Sequence, residues 1–351
     1  MEKLSEYAGK ILNDETCIAV RDEWFARMRN LFDGKGDPFL DTHFLALNGV
    51  IGNADADLLY EEPEVWVNRA LEDLAGKVNC IKNEEMFVPL CMEPPFYGVH
   101  FIDKIMGAEV FFQDGQWYNH YLDQEVGCLE RPDLENNKTW ELARRAASAF
   151  TEAKVGLPLF GLPTIASALN IATNLYGEEI LVAMLTEPEA AAHDLGIIND
   201  LLCEIHQWYR EHIPACQLQP VISWNRTQPP GYGQLCGCTT QLLSASLYEE
   251  FIMPLDDKLL AVYPEGGMIH FCGSHTHLLE VLRNIPHLKA VQLNDRAAWD
   301  LKEYYDRLRE DQMIYLNPCE GMGIKQAIEI TGGRRLVIAD TVEHSGYEPA
   351  E

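Results

Sequence analysis

The chain has 351 residues, with 27 Lys and Arg against 55 Asp and Glu, for a formal charge of −28 at pH 7. Hydrophobic residues make up 47% and charged residues 23%, which excludes disorder as a description of the whole and gives a globular profile with a sizeable core. The charge argues against a nucleic-acid partner, whose phosphates would be repelled, and against polyanionic ligands unless a basic pocket offsets the field.

No apolar run reaches the roughly 18 residues of a membrane span. The opening Met1–Cys17 lacks the basic-then-apolar order of a signal peptide. The expectation is a soluble, cytoplasmic protein. Its ten cysteines are then reduced, and are either metal ligands or packing residues.

In chain order, residues 2–78 read as mostly helical, with Val65, Trp66, Ala70, Leu71 and Leu74 at helical spacing. Met86–Cys91 reads as a strand before a turn with Pro94 and Pro95. Trp140–Ala153 reads as a helix, and Leu157–Leu162 as an apolar segment bounded by Gly and Pro. Thr186 and Glu189 frame a capping box with Pro188 near the first helical position, opening a long helix that Pro214 ends. Pro220–Trp224 reads as a strand. Ser246 and Glu249 frame a second capping box, opening a helix to about Tyr263.

The last third is the most regular. Strands at Met268–Cys272, Lys289–Leu293, Met313–Asn317 and Leu336–Ala339 alternate with helices through about Arg283, over Leu301–Arg309 and over Ile324–Ile330. Strand, short loop and helix in repetition mean parallel strands with crossover helices. With the earlier strands the count approaches eight. The expected fold class is α/β, a (β/α)8 TIM-type barrel over residues 86–351 behind a helical N-terminal extension over residues 1–85. A doubly wound open sheet is the alternative, but no GxGxxG turn follows an early strand.

Active sites of such barrels collect at the C-terminal ends of the strands. Those ends carry Trp224, His270 with Cys272, Asn294 with Asp295, Cys319 and Asp340. His270 and Cys272 are two apart on a strand, so both point to one face. An imidazole with a thiolate suits Zn²⁺; a buried cysteine beside a hydrogen-bonded core histidine is the other reading. Cys319 as a third ligand would leave one coordination position open, as catalytic zinc requires. Cys236 and Cys238 flank Gly237 near the same mouth, and either thiol is placed to ligate; a Gly-rich turn with incidental thiols is the alternative. His275 and His277 begin the next helix, where solvated or capping roles are commoner. Asp295, Asp340 and Glu320 are candidate acids, bases, ligands or caps. Phe96, Tyr97, Trp117, Tyr118 and Tyr121 are either a pocket for a flat ligand or core.

The run Cys238–Pro254, with its S-x-x-x-Y-x-x-F-x-x-P pattern, followed by Gly267-Met-Ile-His-Phe-Cys-Gly273, resembles the uroporphyrinogen decarboxylase superfamily, which includes zinc-dependent methylcobamide methyltransferases. Gly161-Leu-Pro163, the helix after Thr186 and Gly332-Gly333 fit more loosely. The likeness spans about Met86 to Thr341. It implies the same barrel. The decarboxylase branch carries an R-Q-A-G-R-Y type motif that Arg21, Arg27 and Arg29 do not match. The methyltransferase branch binds zinc through H-x-C and a distant cysteine. His270 and Cys272 match. The family's last cysteine follows the final strand, where this chain has Ala339-Asp-Thr-Val-Glu-His344, so Cys319 is the expected substitute. The resemblance implies Zn²⁺, Trp224 and Cys238 near a methylated corrinoid held by a corrinoid-binding partner protein, and methyl transfer to a small-molecule thiol or similar acceptor. The alternative is a decarboxylase-like enzyme acting on a tetrapyrrole or other carboxylated substrate. A non-catalytic binding module on the same fold is a third reading.

Overall fold

A computed structural model describes residues 3–35, 44–220 and 222–339. Its strands are β1 (Leu45–Leu47), β2 (Val50–Ile51), β3 (Leu90–Met92), β4 (Val110–Gln113), β5 (Gln116–Asn119), β6 (Leu159–Gly161), β7 (Leu218–Gln219), β8 (Gly233–Cys236), β9 (Gly267–Phe271), β10 (Leu288–Leu293), β11 (Met313–Leu316) and β12 (Leu336–Ala339). β4 and β5 form an antiparallel hairpin; every other pairing is parallel.

The parallel strands run in two arcs. One has the order β1-β12-β11-β10-β9-β8 and the other β2-β3-β6-β7. A parallel bridge between Leu47 and Phe87 and the short step from β1 to β2 join the arcs at one side. Between β7 and β8 the described residues form no ladder. The side chain of Gln219 instead brackets Gln228, donating to its carbonyl and accepting its N–H, both at 2.9 Å. The fold is therefore α/β with parallel strands and crossover helices, and the ring of ladders is interrupted there.

The regular last third matches its reading almost residue for residue. Three segments differ. Residues 45–51, read within a helical stretch, are β1 and β2, because runs of two or three residues carry no detectable period. Pro220–Trp224 is no strand. β7 ends at Gln219, Ile222 takes a left-handed φ of 38°, and Ser223–Arg226 forms one helical turn. Gly233–Cys236, read as a glycine-rich turn, is strand β8, and Tyr263 packs where a side chain on Gly233 would stand.

Helix caps were also displaced. Thr186 ends the helix Glu179–Thr186, and Glu187 precedes the helix Pro188–His212 without a side-chain cap bond. Ser244, not Ser246, caps the next helix, accepting from Leu247 N at 3.3 Å. Pro254 has no N–H to donate, and the preceding turn widens into a π-turn over Tyr248–Ile252 before the helix resumes at Met253–Leu260.

The N-terminal helix Glu15–Phe32 packs across the starts of β3 and β6. Trp24 and Phe25 of the helix Glu15–Phe32 lie on Phe87, with ring centroids 5.8 and 5.3 Å apart. Arg21 of the same helix donates to the carbonyls of Gly156 and Leu157 just before β6.

Tyr248 is wholly buried and donates to Asp256 Oδ2 at 2.8 Å. Burial pushes the Asp256 carboxyl up to about 7. Its folded value thus exceeds the ~3.9 of an unfolded aspartate. The stability this group contributes is complete below about pH 4 and is lost as pH rises through about 7. We expect Asp256→Asn to gain stability relative to the parent between pH 5 and pH 8, by up to a few kcal/mol. Urea unfolding at the two pH values checks this; an unchanged difference between parent and variant would refute it.

Candidate metal centre

Parallel pairing carries one register row across the larger arc. Cys236 of β8 stands beside His270 of β9, His270 beside Gln292 of β10, and Gln292 beside Tyr315 of β11. Residues paired in register share a face of the sheet. The row is polar and buried: His270 is 4% exposed and Gln292 1%. Its members therefore need hydrogen-bond partners.

They have them. His270 Nδ1 lies 2.6 Å from Gln292 Oε1, and the Gln292 amide donates to Asn317 Oδ1. A carboxamide oxygen only accepts, so Nδ1 carries the proton and Nε2 presents its lone pair. Nε2 lies 2.9 Å from Cys272 Sγ and 3.3 Å from an Arg226 guanidinium nitrogen. Burial lowers the His270 pKa, which keeps the ring neutral.

Cys238, two residues beyond β8, completes a cluster. The ligand atoms of Cys238, His270 and Cys272 all lie within 4.8 Å of one another. The Cys238 thiol donates to Cys272, and this is the main reason that Cys272 is held well below the ordinary cysteine value while Cys238 is raised. Cys236 is pushed up by burial, although Arg226, 3.6 Å from its sulfur, pulls the other way.

Cys319 is not a member of this cluster. It stands half-buried at the rim, donating to Asp295 O at 3.6 Å, and its turn closes on Met322. Asp295 is exposed, with a left-handed φ of 47°. The Trp299 indole pins the same rim through Glu320 O at 2.9 Å. Trp224 is half-buried, and its carbonyl accepts Gly49 N at 2.6 Å, which ties the helical turn Ser223–Arg226 across to β2. Asp340 lies outside the described residues. The aromatic group divides: Phe96 is wholly buried, while Tyr97 and Trp117 pack with Tyr60 and Tyr118 and Tyr121 are exposed.

Three groups have no counterpart among the sequence candidates: Gln292, Arg226 and Glu93. Gln292 is the lone polar side chain in the run Ala290–Leu293, which is a readable signal. Glu93 follows β3 directly. Its Oε2 accepts from Ser223 N at 2.8 Å and Ser223 Oγ at 3.0 Å, and burial raises its pKa. Two further strand ends depart from ordinary backbone geometry, Tyr97 at φ 50° beyond β3 and Ile222 beyond β7. With Asp295 beyond β10, three non-glycine residues take left-handed φ at one edge of the sheet, and such strain concentrates at functional sites.

No protein-family model and no curated protein matches the chain. Among solved structures, a methyltransferase from Methanosarcina mazei shares the fold. Its TM-score is 0.60 over 90% of this chain and 91% of that one, at 11% identity. A protein described as a candidate vitamin-B12-independent methionine synthase from Listeria monocytogenes aligns over 81% of this chain and 80% of its own, at 14% identity and a TM-score of 0.41. At 11% identity the first likeness shows a shared fold; in this chain the Cys-His-Cys cluster lies at the C-terminal ends of β8 and β9. No helix among the described residues is long and apolar enough to cross a membrane.

Removing the Glu93 carboxylate leaves the buried Ser223 N–H and O–H without their acceptor. Glu93→Ala is expected to cost about 1–3 kcal/mol, the penalty of a buried donor left without its acceptor. Chemical denaturation measures it, and a loss below 0.5 kcal/mol (~) would contradict the assigned role.

Proposed function

We propose that this chain is a zinc-dependent methyltransferase that moves a methyl group between a corrinoid and a thiol or similar acceptor. The observation that carries the reading is the convergence of Cys238, His270 and Cys272 on one point at the C-terminal edge of the sheet. The shared fold with a methyltransferase supports it.

The donor set fits zinc. One nitrogen and two sulfurs are its usual ligands, and tetrahedral Zn–S bonds of about 2.3 Å set neighbouring sulfurs about 3.8 Å apart. The spacing here is within reach of that by small movements. Gln292 fixes the His270 tautomer from behind, the arrangement that orients metal-bound imidazoles. Three protein ligands leave the fourth position for a substrate. The expected set of His270, Cys272 and Cys319 becomes, in this proposal, His270, Cys272 and Cys238.

A bound zinc ion would lower the pKa of an incoming thiol so that thiolate forms near neutral pH. The protein's own groups do the rest. His270 and the two cysteines fix the acceptor's position. Arg226 places a positive charge beside the cluster, which favours an anionic fourth ligand. Asp295, exposed at the rim, is the proposed acceptor of the thiol proton, with Asp340 as the second carboxylate. Trp224, at the same edge, is the proposed contact for the flat corrinoid, which a carrier protein delivers from outside.

Metal titration tests the core of this. The protein should bind about one zinc per chain. Stoichiometric binding should disappear in His270→Ala, Cys272→Ala and Cys238→Ala and persist in Cys319→Ser. Gln292→Leu should weaken binding about 10- to 100-fold. Zinc-loaded protein should demethylate methylcobalamin in the presence of a thiol, followed by the corrinoid's visible spectrum, and chelation should stop it. A metal-free chain with full activity would sink the proposal, and binding that depends on Cys319 instead of Cys238 would move the third ligand.

A further inference from the structure

Cys238 is the ligand with the least regular support. His270 lies within β9 and Cys272 directly follows it, but Cys238 stands outside β8, in the one-turn helix Cys238–Leu242. A cysteine on a loop reaches a fixed point only if the loop is itself held. Two independent sets of contacts hold this one. On one side, Ser167 N donates to Cys236 O at 2.9 Å and Thr239 N to Asn170 Oδ1 at 3.1 Å, so the start of the helix Ala168–Tyr176 grips the segment.

The other side is the loop after β9. His275 is wholly buried, its ring tilted against Phe271 with centroids 4.1 Å apart. Nδ1 lies 2.6 Å from Gly273 O and therefore donates to it. Nε2 has no hydrogen-bond partner among the described residues, so the ring acts on the neighbouring segment through Phe271. Gly237 is in turn packed on Phe271: a Cβ there would stand 3.2 Å from the Phe271 ring and 3.8 Å from His270 O. His277 reaches the far end of the same segment, with Nε2 donating to Leu243 O at 2.9 Å. Between them Gly273 leaves room for the Gln241 amide, which any side chain at 273 would strike. The histidine loop is itself anchored, since His275 N donates to Tyr304 OH at 3.2 Å and Arg307 to Thr276 O at 3.3 Å.

We propose that His275 and His277 are positioning residues that clasp residues 237–243 to the end of β9 and so hold the Cys238 sulfur within ligand distance of His270 and Cys272. The inference rests on the metal-site reading above and adds to it the residues that make the third ligand available. Neither histidine ligates; each acts through the loop. The sequence His275-Thr-His277 thus serves the site without entering it.

Cobalt(II) titration of the purified full chain is the test, because the intensity of the cobalt–thiolate absorption reports the number of sulfur ligands. His275→Phe keeps an aromatic ring against Phe271 and removes the hydrogen bond to Gly273 O. It should lower Co²⁺ and Zn²⁺ affinity about 10- to 100-fold, as loss of a supporting residue does. Its thiolate band should fall to that of Cys238→Ala, and Cys238 in the metal-free variant should react faster with iodoacetamide. His277→Ala, on an exposed side chain, should shift all three in the same direction by less, and covers the case in which His275→Phe does not fold. His275→Gln, which retains a donor, should recover part of the loss.

Parental affinity, a two-thiolate band and unchanged Cys238 alkylation in both His275→Phe and His277→Ala would overturn the clasp. If the parent itself binds no metal, the zinc reading fails separately. The clasp is then decided by the alkylation rate of Cys238 in the metal-free proteins, faster in the variants if it holds and equal if it does not.

Discussion

Everything at the candidate centre depends on one buried contact, His270 Nδ1 against Gln292 Oε1. In-register parallel pairing of β9 and β10 makes it, and that pairing is set by backbone hydrogen bonds rather than by either side chain. The contact decides which imidazole nitrogen keeps its proton. It thereby turns Nε2 toward Cys272 and the open edge of the sheet, and fixes the plane in which a third ligand must arrive. The chain of support runs on through Asn317, the residue just after β11, so three adjacent strands contribute to the orientation of one ring. A histidine held this way is already near the geometry a tetrahedral ion requires, and loses little freedom on binding it.

How much of this was legible follows from the length scale of each signal. Strands β9 to β12 and their helices carry apolar runs of four to six residues separated by charged segments, so periodicity and turn chemistry locate them. β1, β2 and β7, at two or three residues each, carry no period. Their strand character comes from neighbours far away in sequence, such as β12 for β1. The same holds at Ile222. Nothing local asks a β-branched residue to adopt a left-handed φ, but Glu93, 130 residues earlier, takes up Ser223's N–H and hydroxyl and pulls the chain out of the strand.

The candidate cluster shows the same division. His270 and Cys272 are readable because one lies in β9 and the other directly follows it, where spacing of two still fixes a common face. The third position depends on which loop folds over the mouth, and that is a tertiary fact. Cys319 and Cys238 are both cysteines shortly after a strand. They differ in that the Cys319 turn closes on itself, with Cys319 and Met322 exchanging backbone bonds, whereas the Cys238 turn is drawn over β9 by the helix at Ser167 and by the loop at His277. A strand-end rule gives candidates; only packing chooses among them.

Charge gives the last constraint on the substrate. The surface, at −28 overall, disfavours the approach of polyanions, which weighs against a polycarboxylate ligand. Inside the mouth the balance reverses. Two thiolates and a neutral imidazole would leave a divalent ion neutral, and a thiolate in the fourth position would bring one negative charge. Arg226 is already beside it, buried, with its guanidinium against both His270 and Cys236. A fixed guanidinium in a site of low dielectric stabilises a single nearby anion far more than the same group would in water. The proposed acceptor is therefore small and singly anionic at its reacting atom, a description that a thiolate meets and a many-carboxylate macrocycle does not.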